Sequence, residues 1–481
     1  MNNSNQYETV VGLEVHAQLL TTSKLFCSDT TVFGLPSNTQ VSAISLAHPG
    51  TLPKLNKEAI RLAVTLGLAT HSQIVQHNYF ARKNYFYPDL PKGYQISQHT
   101  TPICKGGYVE ITIGKENKAV QLNRIHIEED AGKSVHDGEN DFTQLDFNRA
   151  GMPLVEIVTE PDLRSAEEAA AYVTALRKLV RHLRVCDGNM EEGSFRCDVN
   201  ISVRKKGDRQ LGTKVEIKNL NSIRFIKKAI EAESALLIEK LERGETILQQ
   251  TKGLNETDFS TYVIRTKEDE DDYRYFPEPD LPPFIITDEQ IQSIRQAMPP
   301  LQSEIKQQLI SQFSLSEYDS SQLAGDIELA TYFMALTKKT PDYKSAANWV
   351  IGPVKNYLAD ADKGADEMEI SPSSIAQLIS LIDQGVISYG IASQNIFPYL
   401  INHPQTDILQ YIQQNNLQLQ SGNETDGFID AALTKYAQKI TEYKKGKKGL
   451  LSLFVGEVMK LSKGKANAEQ VTKKLEEKLN Q

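Results

Sequence analysis

VGLEVHAQL (Val11–Leu19) and SFRCDVNISVR (Ser194–Arg204) alternate apolar and polar residues at period two, the pattern of strands with one buried and one wet face. In the first, Leu13, Val15, Ala17 and Leu19 share one side, while Glu14, His16 and Gln18 share the other. In the second, Phe195, Cys197, Val199, Ile201 and Val203 oppose Arg196, Asp198, Asn200 and Ser202. Three further segments keep this parity. Ile125 and Ile127 oppose Arg124, His126 and Glu128; Val155 and Ile157 oppose Glu156; Val215 and Ile217 oppose Lys214, Glu216 and Lys218.

An ordinary half-exposed antiparallel sheet also alternates, and its wet side usually carries Lys, Thr, Ser and Glu with no special task. Here the wet sides combine Glu, His, Asp and Asn with Arg and Lys. Carboxylates bind Mg²⁺ and the cations neutralise phosphates, so these strands, sharing one sheet, would line a nucleotide-binding cleft. His16 alone reads as a structural histidine, and Glu14 beside it makes the pair a site candidate. A phosphate loop is excluded: Gly132-Lys133-Ser134 has the form of its end, but the glycine needed five positions earlier is Ile127. The sequence also lacks G-x-G-x-x-G, HExxH and a nucleophile elbow.

Outward from these strands, Ser165–Leu183 reads as a helix with Ser165 as N-cap and Glu168 three residues on. A second helix is predicted over Ile223–Glu242, ending near Gly244. Asp271–Pro283 (DDYRYFPEPDLPP) holds four prolines and little periodicity, so it reads as a boundary linker. Helical patterning follows, broken near Pro341, Gly385, Pro398, Pro404 and Gly422. The expected class is α+β, with a sheet domain over 1–292, a helical domain over 293–405 and a small helical tail domain over 406–481.

The 481 residues, 40% hydrophobic and 24% charged, suit several domains with cores of their own. No stretch reads as a signal peptide or membrane span, so the chain is expected to be cytoplasmic. Four cysteines (Cys27, Cys104, Cys186, Cys197) without a C-x-x-C pair fit a reducing compartment. Residues 431–481 hold twelve lysines and five glutamates but no arginine or aspartate, a local +7 within a chain total of −9. A basic tail on an acidic body fits a small module that meets a polyanion, and equally a solvated lysine-rich helical surface.

Long segments carry a family resemblance: Val11–His16 (VGLEVH), Arg82–Gln98 (RKNYFYPDLPKGYQISQ), His126–Ser134 (HIEEDAGKS), Pro153–Pro161 (PLVEIVTEP), Met190–Ser202 (MEEGSFRCDVNIS), Lys214–Ser222 (KVEIKNLNS), Asp271–Pro283 and Tyr443–Asn467 (YKKGKKGLLSLFVGEVMKLSKGKAN). In this order they resemble the B subunits (GatB) of the glutamine-dependent amidotransferases that act on Glu-tRNA(Gln) and Asp-tRNA(Asn). The resemblance implies an antiparallel-sheet cradle like that of glutamine synthetase, then a helical domain and a YqeY-like tail. It implies ATP and Mg²⁺ as cofactors, misacylated tRNA as substrate, and partnership with an amidase A subunit and a C subunit, with no membrane. It implies phosphorylation of the side-chain carboxylate of the tRNA-borne amino acid, then displacement of phosphate by glutamine-derived ammonia.

Matched position by position, His16, Glu129 and Glu156 correspond to the family's Mg²⁺ ligands, with Glu14 beside them. Strand parity instead puts Glu128 with His126 on the polar side, so Glu128 is the rival to Glu129 unless the strand ends or bulges there. Lys83, Arg196, Asp198, Asn200, Glu216 and Lys218 are candidates for binding nucleotide phosphate, metal or the acyl-tRNA end. Some members bind zinc through cysteine pairs in the early loop. Here those positions are Cys27, Asp29, Ser42 and Ser45, and one thiol builds no structural zinc site. In the tail, Lys444, Lys445, Lys447, Lys448, Lys460 and Lys463, with Lys465, are candidates for contacting tRNA phosphates without reading bases. Two other readings are a free-standing carboxylate–amine ligase, which the basic tail disfavours, and a non-catalytic tRNA-binding scaffold, which Glu14, His16, Glu129 and Glu156 disfavour.

Overall fold

The five alternating segments become five adjacent strands of one sheet. The computed structural model describes residues 6–114, 116–136, 142–266, 273–361, 365–419, 422–462 and 464–480, in two compact units, Met1–Pro299 and Pro300–Gln481. Among the described residues, the first unit holds a ten-stranded sheet made of β1 (Tyr7–Gln18), β2 (Gln73–Ile74), β3 (Cys104–Lys105), β4 (Tyr108–Ile113), β5 (Glu116–Glu129), β6 (Pro153–Thr159), β7 (Phe195–Lys205), β8 (Val215–Leu220), β9 (Gln250–Leu254) and β10 (Thr261–Thr266). Its order is β10-β9-β8-β7-β1-β6-β5-β3-β2, with β4 paired to β5.

The pairs are antiparallel apart from β8 and β9, which run parallel, so the sheet is mixed where a purely antiparallel one was expected. The cause is the connection. The helix α3 introduced below lies between β8 and β9 in sequence, and parallel neighbours need such a crossover.

The apolar side carries Leu13, Val15, Ala17, Ile125, Ile127, Val155, Ile157, Phe195, Cys197, Val199, Ile201, Val215 and Ile217, all buried. Among the described residues, four helices belong to this unit: α1 (Lys57–Ala69), α2 (Ala166–His182), α3 (Ile223–Glu242) and α4 (Asp288–Ala297), which packs on α1. α2 and α3 pack on each other, and α3 packs on β7. Their apolar stripes, Ala169, Tyr172, Val173 and Leu176 in one and Ile226, Ala229, Ile230 and Leu237 in the other, are buried. Ser165 caps α2 by accepting from the Glu168 N–H at 3.1 Å, and Ser222 caps α3 by accepting from Phe225 N–H at 3.1 Å. The Glu168 carboxylate reaches back past the cap to the N–H of Arg164, at 2.8 Å.

The proline-rich segment expected as a linker is part of the first unit. Phe276–Pro277 pairs with Ala81–Asn84, which pairs in turn with Tyr94–Ser97. Arg82 clamps this return, donating to Glu278 at 2.7 and 2.8 Å and to Asp280 at 2.9 Å. Proline is tolerated on such an edge, where its missing N–H removes no ladder bond. Asp271 and Asp272 lie outside the described residues.

The second unit is helical, with two cores among its described residues. One gathers around Phe333, Trp349, Val350, Ile375 and Ile396, and it takes in Ile408 and Ile412, so its packing continues past position 405. The other gathers around Ile429, Phe454, Val458, Val471, Leu475 and Leu479. No helix among the described residues is long and apolar enough to cross a membrane.

Candidate metal and phosphate site

β1 supplies the centre of the polar side, because Glu14 and His16 lie two residues apart on it and face its two neighbours. Glu14 is in register with Asp198 of β7, and His16 with Glu156 of β6 and Arg196 of β7. One strand further out, Glu156 stands opposite His126 of β5, and Asn200 opposite Glu216 of β8. Register thus assembles two clusters whose ligand atoms lie within 4.8 Å of one another: His16, Glu128 and Glu156, and Glu14, Asp198 and Glu216.

In the first cluster, His16 Nε2 is 3.7 Å from Glu128 and 3.6 Å from Glu156. His126 Nδ1 is 3.8 Å and Arg124 3.9 Å from the other oxygen of Glu156. Burial raises the Glu128 carboxyl above its usual range, and the Glu156 charge adds to this. Burial pushes Glu156 the same way, but His16, His126 and Lys83 outweigh it and hold this carboxyl well below its usual range. Burial lowers His126 to about 4, whereas His16 is raised because Glu156 outweighs its burial.

In the second cluster, the Asn200 amide donates to Glu14 at 2.8 Å, and Asn219 N–H donates to Asp198 at 3.1 Å. Lys218 Nζ lies 3.4 Å from Asp198 and 3.3 Å from Glu216, and the Thr251 hydroxyl donates to Glu216 at 2.8 Å. Burial, then Glu156, Asp198 and Glu216, raise Glu14. Lys218 is shifted upward because Asp198, Glu216 and Glu14 outweigh its own burial.

The donor set fits a divalent cation. Carboxylate oxygens dominate, as hard cations prefer, and a cation held between them would relieve the repulsion that, after burial, raises Glu14 and Glu128. The buried atoms His16 Nδ1, His126 Nε2 and Asn200 Oδ1 have no hydrogen-bond partner among the described residues, so this face is under-satisfied as it stands.

The structure brings Glu128, not Glu129, to His16 and Glu156. Alternation through β5 stays regular at this end, Glu128 facing Leu154 and Glu129 facing Pro153 in the register. Glu129 therefore points to the other side, where Lys92 and the N–H of Ile96 (2.9 Å) occupy its carboxylate. Glu128 accepts from the Ser97 hydroxyl at 3.0 Å.

Arg196 is fixed by a residue that the candidate set omits. Asp130 accepts from both ends of its guanidinium, at 3.0 and 2.9 Å, and lies 3.7 Å from Arg149. Burial opposes the Asp130 charge, but Arg196 and Arg149 hold its carboxyl down to about 2. The signal was legible, since Asp130 follows Glu128 by two positions. Lys24 left none. It is fully buried, and its ammonium donates to the carbonyls of Gln40 at 2.7 Å and Phe147 at 3.3 Å.

Lys83 stands among aromatic rings, its ammonium 5.0 Å from the ring centre of Tyr273 and 6.0 Å from that of Tyr85. It is held protonated because Tyr275, Glu128 and Glu156 outweigh its burial. Tyr273 meets Tyr85 edge-on at 6.2 Å, and Tyr275 stacks with His99 at 4.2 Å and 6° between planes.

In the early loop, Asp29 accepts from Ser42 N–H at 2.9 Å and from the Ser45 hydroxyl, and Cys27 lies 3.3 Å from the same hydroxyl. In the tail, Lys444, Lys445, Lys447, Lys448 and Lys460 are exposed and Lys465 is half-buried. The first four lie around the turn between the helices Ala437–Lys444 and Leu451–Leu461. Lys447 pairs with Glu442 at 3.0 Å, and Lys448 sits 4.1 Å over Tyr443. Lys463 lies outside the described residues.

Residues 9–292 match the family described as the GatB/GatE catalytic domain, and residues 331–479 the family described as the GatB domain. The chain is 44% identical to a protein of Nitrosococcus oceani, over 99% of this chain and 100% of that one. It is 46% identical to a protein of Variovorax paradoxus (98% and 99% covered) and 42% identical to one of Thermodesulfovibrio yellowstonii (97% and 98% covered). Each of the three is named as the B subunit of an aspartyl/glutamyl-tRNA(Asn/Gln) amidotransferase.

Proposed function

The chain belongs to the GatB family, and from that premise we propose that it is the ATP-using, tRNA-binding B subunit of a cytoplasmic amidotransferase acting on Glu-tRNA(Gln), Asp-tRNA(Asn) or both. Its partners are an amidase A subunit, which releases ammonia from glutamine, and a C subunit. Segment 1–292 acts as a catalytic cradle related in form to glutamine synthetase. A helical domain follows, whose core runs past the expected boundary at 405 to take in Ile408 and Ile412, and a YqeY-like tRNA-binding tail comes after it.

The observation that carries this reading is the paired acidic clusters on one sheet face, flanked by Lys83, Arg196 and Lys218. The side-chain carboxylate of an amino acid esterified to tRNA is a poor electrophile. One of its oxygens attacks the γ-phosphorus of ATP, ADP leaves, and an acyl phosphate forms. Ammonia then attacks the acyl carbon, phosphate departs with the C–O bond electrons, and the new nitrogen loses a proton to give the amide. The attacking oxygen belongs to the substrate, so no protein nucleophile is required.

His16, Glu128 and Glu156 would hold one Mg²⁺, and Glu14, Asp198 and Glu216 a second. Bound there, such ions would supply positive charge to offset the charge of the phosphates. Arg196, oriented by Asp130, and Lys83 supply positive charge to the phosphates, and the exposed tail lysines take tRNA phosphates.

The test uses the purified chain with ATP, Mg²⁺, ammonium chloride and Glu-tRNA(Gln), with and without the A and C partners. Amide-tRNA formed from ammonia, and lost in Glu156→Gln, is the expected result. A complete assembly that makes amide normally with Glu156→Gln overturns the metal site drawn here.

A further inference from the structure

We propose that the stacked rings of His99 and Tyr275, with Tyr273 and Tyr85 beside them, seat an adenine base next to the acidic clusters. The proposal rests on the functional reading above, which gives the site two substrates bearing adenine, ATP and the 3′ end of tRNA.

His99 is exposed, yet its ring lies parallel to that of Tyr275 at 4.2 Å. The segment that carries it is tied down: Thr100 bonds the Tyr79 hydroxyl, and the Thr101 hydroxyl donates to the carbonyl of Tyr79 at 3.2 Å. Tyr275 immediately precedes the return strand locked by Arg82 to Glu278 and Asp280. Two separate segments thus present one layered π surface, already ordered, with an exposed imidazole as its outer layer. Ser97, two residues before His99, donates to Glu128 of the acidic cluster at 3.0 Å. Tyr273, 6.4 Å from Tyr275, continues the wall to Lys83, whose ammonium lies 5.0 Å from the Tyr273 ring centre. A base laid on the stack would lead its sugar and phosphates toward that ammonium. Aromatic and imidazole faces are the common means of holding an unpaired base.

A structural brace would produce the same stacking, and the experiment separates the two. His99→Ala and Tyr275→Ala are compared with His99→Phe and Tyr275→Phe in the complete assembly. Equilibrium dialysis reads binding of ATP with Mg²⁺ and, separately, of Glu-tRNA(Gln). Amide formation by the unsubstituted assembly is measured apart from these, so failure of the functional reading is seen on its own.

The alanine variants are expected to weaken one ligand by roughly 5- to 150-fold, the range for loss of one stacked base, while the phenylalanine variants retain it. Loss confined to ATP assigns the base to the nucleotide; loss confined to Glu-tRNA(Gln) assigns it to the tRNA terminus. Unchanged binding of both, or an equal loss of both with a lowered melting temperature, overturns the proposal.

Discussion

Glu128 and Glu129 are adjacent in sequence, and exchanging each for glutamine should produce opposite phenotypes. Glu128 lies 3.7 Å from His16 Nε2 within the three-residue cluster and is 5% exposed. Two unit charges about 4 Å apart interact by about 4 kcal/mol at the effective dielectric of a partly buried site. Glu128→Gln keeps the shape and one carbonyl oxygen but removes that charge. If half to all of that energy is lost to a bound cation, Mg²⁺ affinity falls on the order of 30- to 1,000-fold. Glu129→Gln removes instead the partner of Lys92 and a charged acceptor for Ile96 N–H. Lys92 keeps some access to solvent, its side chain 15% exposed, so the cost should be about 1–3 kcal/mol of stability, with little change in Mg²⁺ requirement. The assay is ammonia-dependent amide formation titrated with Mg²⁺, alongside a denaturant melt of each variant. An unchanged Mg²⁺ requirement in Glu128→Gln, with a large increase in Glu129→Gln, would refute the parity argument.

Asp130→Asn should leave Arg196 loosely held and weaken ATP binding about tenfold, roughly 1.4 kcal/mol, as read by dialysis; unchanged ATP affinity would sink the orienting role. Replacing Lys444, Lys445, Lys447 and Lys448 together by alanine should lower the slope of log tRNA affinity against log salt by about 0.7–0.9 for each phosphate no longer neutralised. ATP affinity should not change, and parallel losses of both would count against a tRNA role for the tail. Asp29 has a pH signature. Burial opposes its charge, but hydrogen bonds from Ser45, Cys27 and Ser42 outweigh it and hold the carboxyl below its ordinary range. Its contribution is therefore full above the unfolded value near 4 and is lost as pH falls through the lower folded value. Asp29→Asn should cost about 1 kcal/mol at pH 7, a deficit that shrinks in acid; a deficit independent of pH in denaturant melts would refute this.

Much of the site was legible because it lies on strands. Side-chain parity needs only local sequence, and it sorted Glu14, His16, His126, Glu128, Glu156, Asp198, Asn200 and Glu216 onto the polar sides of their strands; that those strands share one sheet came from the fold. Parity also judged Glu128 against Glu129 as the fold does, while the resemblance favoured Glu129. Legibility stopped where contacts join distant segments. The parallel pairing of Gln250–Leu254 depends on where α3 delivers the chain, and QTKGL carries no alternation to announce it. Prolines in Asp271–Pro283 were read as a break, although they suit an edge strand held by Arg82. Lys24 and the His99–Tyr275 stack exist only through tertiary packing, which no periodicity encodes.

The placement of Glu14 and His16 on one strand also sets a length. Their Cα atoms are separated by one full pleat repeat, about 6.6–6.8 Å for two residues of an extended chain. β1 therefore acts as a ruler between the two clusters, graduated by the peptide backbone. Substitution can alter what each cluster holds, but the interval between them changes only if the strand gains or loses a residue. Such a slip would turn the remaining polar positions into the core, so the spacing and the fold must be inherited together.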